Sequence, residues 1–257
     1  GIAVVIVVAV VMNLVGIILD WKIFLVLSLL ILASILVYNR RNLTFSLKIT
    51  KEDAYAGAAV IIAILSLWMY ASGAFSYPYL ENDDPWTHAV VVSYVAQEKV
   101  LADTPTYNFK FLDPYPPGFA VWLGLMHQIE PSISWVLKFY NALFIALGVL
   151  FFYFAAKQFI QDRRGALFAT FVLASLPSFF THFIWAHTLS IILFFPALYC
   201  LEKIEDDRRW GFAAGLVIAG ILLTHPDEGL KILIMLGLYF VVKSIYYRAI
   251  QKEVGFA

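Results

Sequence analysis

Three carboxylates and a histidine crowd one short stretch of the chain: Glu81, Asp83, Asp84 and, four residues after the last of them, His88. Asp84 is followed by Pro85 and Trp86, so it reads as a helix N-cap with proline in the first helical position. His88 then projects from the same helix face as Asp84. One carboxylate suffices for a cap, and three exceed that need. Carboxylates can take a proton from an attacking hydroxyl, and oxygen-rich clusters suit Mg²⁺ or Mn²⁺. A second grouping, Thr224-His225-Pro226-Asp227-Glu228-Gly229, has a histidine and two carboxylates in a tight reversal. There, too, capping by the carboxylates competes with a functional role. His182 and His187 flank another reversal, and imidazoles can ligate metal, move protons or donate to phosphate. The fifth histidine, His127, reads as an interfacial residue with one end in water.

The surroundings of these polar groups decide what kind of protein carries them. Apolar residues make up 62% of the 257-residue chain and charged residues only 14%. Soluble domains run near 45–50% and 25%, so soluble-enzyme, nucleic-acid-binding and disordered classes fit poorly. Apolar runs approaching the roughly 20 residues that cross a bilayer occur at 1–19, 22–38, 54–76, 134–157, 166–183, 187–203, 211–225 and 229–247. A shorter run, 116–129, reads as a helix lying at the interface. The expected architecture is an all-α polytopic membrane bundle of about eight spans. It forms a single transmembrane domain, 1–257, and the chain, which opens inside an apolar run, reads as a fragment of a longer protein.

The net charge of zero divides unevenly on this layout. One set of connections holds 13 of the 18 basic and 8 of the 18 acidic residues; the opposite set holds the rest. The basic side is expected to be cytoplasmic, with both termini on it. The acidic segment 77–133 is then outside, with two interfacial helices, and is the one long connection in which to seek chemistry. In a prokaryote the membrane would be the plasma membrane. Lys138 and Asn141, near one span end, are the main polar exceptions within the spans. A transporter would show paired broken helices or more charge at mid-membrane, which ranks that function third. The lone Cys200 excludes an internal disulfide framework.

The Asp84-Pro85-Trp86-x-His88 sequence just after a span resembles the first outer loop of GT-C-fold membrane glycosyltransferases. The nearest likeness is to the catalytic subunit of archaeal and eukaryotic oligosaccharyltransferases. Tyr115-Pro116-Pro117-Gly118 followed by a short apolar helix resembles that family as well, and the match covers roughly 77–160. The resemblance implies a GT-C-like bundle that transfers a sugar from a polyprenyl-phosphate or -diphosphate donor to an acceptor on the outer face. It implies a catalytic role for Asp84 with Asp83 beside it, and a divalent cation held by Asp84, Asp83 and Glu81. Where the family carries a second acidic motif, residues 181–188 contain no carboxylate, so Asp227, Glu228 or the histidines would complete the ligands. His88, His182, His187, His225 and Tyr115 become candidate substrate or phosphate contacts. The expected partners are the bilayer, the lipid-linked donor, an acceptor of unknown identity and partner subunits; nucleic acid is not among them. A non-catalytic GT-C-like subunit or lipid-binding scaffold is the alternative.

Overall fold

The computed structural model describes residues 1–39, 50–101, 115–176 and 183–254. Ten helices and no strand occur among them: α1 (Ile2–Leu14), α2 (Trp21–Asn39), α3 (Lys51–Phe75), α4 (Asp83–Glu98), α5 (Gly118–His127), α6 (Ile133–Ile160), α7 (Arg163–Ala174), α8 (Ala186–Lys203), α9 (Trp210–Leu222) and α10 (Pro226–Val254). Eight of these answer to the eight apolar runs, and α4 and α5 are the two helices expected in the long connection. The chain is an all-helical, polytopic membrane protein. Among the described residues four helices are long and apolar enough to cross a membrane: α2, α3, α6 and α10. The 13 residues of α1, 12 of α7 and 13 of α9 rise only about 20 Å each, less than the hydrocarbon thickness of about 30 Å.

Apolar side chains cover much of the outer surface of these long helices. Along α2, Leu29, Leu30, Ile31 and Leu32 are each more than half exposed, and α10 exposes Leu238, Phe240 and Val242. In water such a surface would cost far more than folding could offset, whereas lipid accepts it without penalty. The internal core runs through α6 and α8, where Leu137, Phe144, Ile145, Leu189 and Ile192 are fully enclosed. α6 packs extensively on α3, α7 and α8, and α8 packs on α9.

The long connection is fastened to this bundle at two places. At its far end the α1–α2 corner grips it: Lys99 ends α4 in the left-handed conformation, φ 59°. Its carbonyl accepts from the Leu19 amide at 2.7 Å, and its ammonium pairs with Asp20 at 2.5 Å. Those two bonds offset the cost of about 1–2 kcal/mol for a non-glycine residue in that conformation. Gln128, just past α5, donates to the Leu19 carbonyl and accepts from the Trp21 amide at 2.6 and 2.9 Å.

At its near end the Pro116-Pro117-Gly118 corner presses directly on the last turn of α9. The Gly118 amide donates to the Leu223 carbonyl at 2.5 Å. A Cβ on Gly118 would lie 2.5 Å from that same oxygen and 2.9 Å from Ile6 Cγ2. Only glycine permits backbone to approach so closely. Gly124 plays the same part between α5 and α4, where a Cβ would meet Val95 Cγ1 at 2.7 Å. Gly118→Ala is expected to destabilise the protein by about 2–3 kcal/mol, an overpacking cost against rigid backbone. Gly237→Ala, in α10 with open space around it, is expected to be neutral or stabilising by about 0.5–1 kcal/mol. Thermal unfolding of both variants in detergent checks the contrast, and equal melting temperatures would remove the Gly118 contact from its central place.

Candidate functional site

The corner at Gly118 places Tyr115 beside the start of α10. Tyr115 and His225 meet edge to face with ring centroids 5.3 Å apart. His225 meets His187 of the first turn of α8 in the same manner at 5.9 Å. Trp185 packs edge-on against His187 at 4.5 Å and stacks with Phe183 at 5.4 Å. Three elements distant in sequence thus converge: the lead-in to α5, the first turn of α8 and the α9–α10 reversal. Each ring is half-buried, as expected of aromatic groups with one apolar and one polar side.

Charges surround this row of rings. Asp84, half-buried in the first turn of α4, is close enough for its charge to act on both Tyr115 and His187. Burial pushes the Tyr115 hydroxyl far above its usual pKa, and Asp227, Asp84 and Glu228 push it further the same way. Tyr115 is therefore a hydrogen-bond donor throughout the physiological range. Burial lowers the His225 pKa despite the opposing pull of Glu228 and Asp227, while Lys231 assists the lowering. Lys231 pairs with Glu228 at 2.7 Å and is two-thirds exposed, and its charge acts on both His225 and His187.

The reversal itself is capped by the histidine and not by its carboxylates. The Glu228 amide donates to His225 Nδ1 at 3.3 Å, and the Gly229 amide bonds the His225 carbonyl at 2.9 Å. Pro226 fills the first helical position, where its missing N–H is no loss. Because Nδ1 accepts, the neutral ring carries its proton on Nε2. The α4 start likewise differs from the expected pattern. Asn82 is the N-cap, its side chain accepting from the Asp83 amide at 2.7 Å, so Asp84 is the second residue of the helix and Pro85 the third.

The three clustered carboxylates separate in space. Asp83 is exposed; Asp84 lies toward Tyr115 and His187. Glu81 lines a small cavity of about 20 Å³ with Lys138, Pro85 and Phe183 among its walls, and its charge acts on Lys138. Among the described residues no three His, Cys, Asp or Glu side chains come together in a way that could hold a metal ion. His88 is 4% exposed and meets Phe119 edge to face at 4.8 Å, which places it in the α4–α5 contact. His127 bonds the Glu130 carbonyl through Nδ1 at 2.8 Å and serves the end of α5. His182 lies outside the described residues.

Two lysines complete the picture, one missed in the sequence and one noted but unexplained. Lys231 carries the pairing signature of a residue three after Glu228, a signal too common to single out. Lys138 of α6 is 5% exposed. It donates to the Tyr77 carbonyl and lies 5.8 Å from the centre of the Phe75 ring. A lysine within a span costs about 2.5–3.5 kcal/mol. A charged hydrogen bond of about 1.5–3 kcal/mol and a cation–ring contact of about 0.5–2 kcal/mol are of the size needed to offset it.

With its folded pKa lowered, His225 contributes stability that is fully present above its unfolded value, about 6.5. That stability is lost as pH falls from there through the folded value. Melting temperature measured from pH 8 to pH 5 is expected to drop less in His225→Asn than in the wild type, because Asn keeps the cap without the titration. An equal drop in both would place the titration elsewhere.

A family model described as dolichyl-phosphate-mannose-protein mannosyltransferase matches residues 114–257. No curated protein and no solved structure matches the chain. The matched region begins one residue before Tyr115 and contains His187, His225 and Lys231; the acidic segment 81–84 precedes it.

Proposed function

The chain belongs to the dolichyl-phosphate-mannose-protein mannosyltransferase family, a membrane glycosyltransferase family using a lipid-linked sugar donor, and from that premise we propose what its own residues do. It transfers a sugar from a polyprenyl-phosphate donor to an acceptor hydroxyl, at the outer face of the membrane. The observation that carries this reading is the convergence of Asp84, Tyr115, His187, His225 and Lys231 at one end of the bundle. A base and a set of donors for a phosphate are there side by side.

In this reading Asp84 accepts the proton of the acceptor hydroxyl as its oxygen bonds to the anomeric carbon. The bond from that carbon to the phosphate oxygen breaks, and polyprenyl phosphate leaves. Lys231, the Tyr115 hydroxyl and the Nε2–H of His225 receive the charge that develops on it. Asp84 is preferred to Asp83 because its charge acts on Tyr115 and His187, whereas Asp83 is exposed. Glu228 holds Lys231 in place through their 2.7 Å pair.

The polyprenyl tail needs an apolar channel that opens to lipid. A groove of about 430 Å³ between α1 and α2 shares Val5, Phe24 and Ser28 with a second, of about 210 Å³, that reaches Trp122 and Met126 of α5. Val5 adjoins Ile6, which touches the Gly118 corner, so this pair of grooves is our choice for the tail. The basic end of the bundle, where Lys243 bridges Glu202 and Glu205 at 2.7 and 2.9 Å, would face the cytoplasm.

Purified protein in lipid, given a mannosyl polyprenyl phosphate and hydroxyl acceptors, is expected to form a glycosylated acceptor. Asp84→Asn is expected to lower kcat by about 10²–10⁴-fold with donor affinity kept, and Asp83→Asn to change it by less than about threefold. Lys231→Met is expected to weaken donor binding by about tenfold, the loss of roughly one charge-assisted hydrogen bond. Full activity in Asp84→Asn would refute the assignment of the base. Donor binding with no transfer by the wild type would identify a non-catalytic member of the family.

A further inference from the structure

The two buried polar residues of α6, Lys138 and Asn141, face two different segments that carry the site. Lys138 donates to the Tyr77 carbonyl, at the α3–α4 corner that leads into Asp84. One turn further along α6, Asn141 donates from Nδ2 to the Phe183 carbonyl at 3.4 Å, in the segment that leads into His187. Both side chains are about 95% buried. The Asn141 Oδ1 is buried with no partner among the described residues, an expense that apolar packing would avoid. The cavity between them is walled by Pro85 of α4 and Phe183 and Ile184 of the α8 lead-in, as well as Glu81 and Lys138.

From this we infer that Lys138 and Asn141 are positioning residues: they hold the Asp84 segment and the His187 segment at a fixed separation across α6. Asn141 meets the row of rings only at the Phe183 backbone carbonyl, and Lys138 is bonded at Tyr77. The backbone at 77 and 183 is irregular, so no helix hydrogen bonds fix it there, and side-chain donors from a rigid helix supply what is missing. Lys138 also lies in the field of Glu81, with which it lines the same small cavity.

This inference rests on the proposed reaction, and the test separates the two. Transfer kinetics are measured for wild type, Lys138→Met, Lys138→Arg and Asn141→Leu, and amide hydrogen exchange is measured on the same proteins without substrate. Lys138→Met is expected to lose about tenfold or more in kcat, as misplaced catalytic groups do, with donor KM within about twofold. Lys138→Arg, which can still donate to the Tyr77 carbonyl, is expected to recover at least about a third of wild-type kcat. Amides of residues 83–90 are expected to exchange faster in Lys138→Met than in Lys138→Arg. Asn141→Leu removes an unpaired buried oxygen, so it keeps the test open if Lys138→Met does not accumulate. It is expected to lower kcat by about threefold or more and to expose amides 183–188. Wild-type kcat in Lys138→Met or Asn141→Leu, or a loss seen in KM alone, overturns the inference. Should the wild type show no transfer, the proposed reaction fails, and the exchange data decide the positioning role by themselves.

Discussion

The contact between the Gly118 amide and the Leu223 carbonyl, at 2.5 Å, is the constraint on which the rest of the site depends. It is a backbone-to-backbone contact with no room for a side chain, and Ile6 of α1 closes it from the third direction. Pro116 and Pro117 stiffen the approach by fixing their own φ. Tyr115 therefore has little choice but to lie against His225, two residues past Leu223. Through Gly124 and Val95 the same corner sets α4 on α5, and with α4 comes Asp84. A single close approach thus ties the family-matched region to the acidic segment outside it.

The site that results separates charges by function. Acidic groups at the start of two helices are favoured by the helix dipoles, and the carboxylates diverge: Glu81 toward Lys138, Asp84 toward the rings, Glu228 toward Lys231. Half-burial keeps Tyr115 protonated and His225 neutral, so both present N–H or O–H donors at neutral pH. Such donors suit an anion that is already charged before reaction and gains charge as it leaves. An array of this kind stabilises a departing phosphate without needing to convert any proton inventory of its own.

Much of the architecture was legible in the sequence because hydrophobic thickness leaves a direct imprint on run length. The run 22–38 became α2 at Trp21–Asn39, and 134–157 became α6 at Ile133–Ile160. The two helices of the long connection were legible too, from Pro85 and from the Pro-rich corner. Helix starts were less so. Asn82 captured the cap expected of Asp84, and His225 took the one expected of the carboxylates, since several adjacent residues could each reach the same free amides. The GT-C likeness of the outer loop agreed with the family at the level of fold and donor type. Contacts such as Tyr115 with His225, or Lys138 with the Tyr77 carbonyl, join segments far apart in the chain, and no local spacing encodes them. Lys231 was invisible for the opposite reason: its pairing with Glu228 is what ordinary surface helices display.

The proposed reaction puts the donor's phosphate among His225, Lys231 and Tyr115, with its anomeric carbon facing residue 84. A structure of the Asp84→Asn protein in lipid with a mannosyl polyprenyl phosphate bound tests it most directly. The account requires phosphate oxygens within hydrogen-bonding distance, about 2.7–3.2 Å, of His225 Nε2 or the Tyr115 hydroxyl, with the sugar next to Asn at position 84. A phosphate bound elsewhere, with this cluster unchanged and the sugar remote from α4, would contradict it.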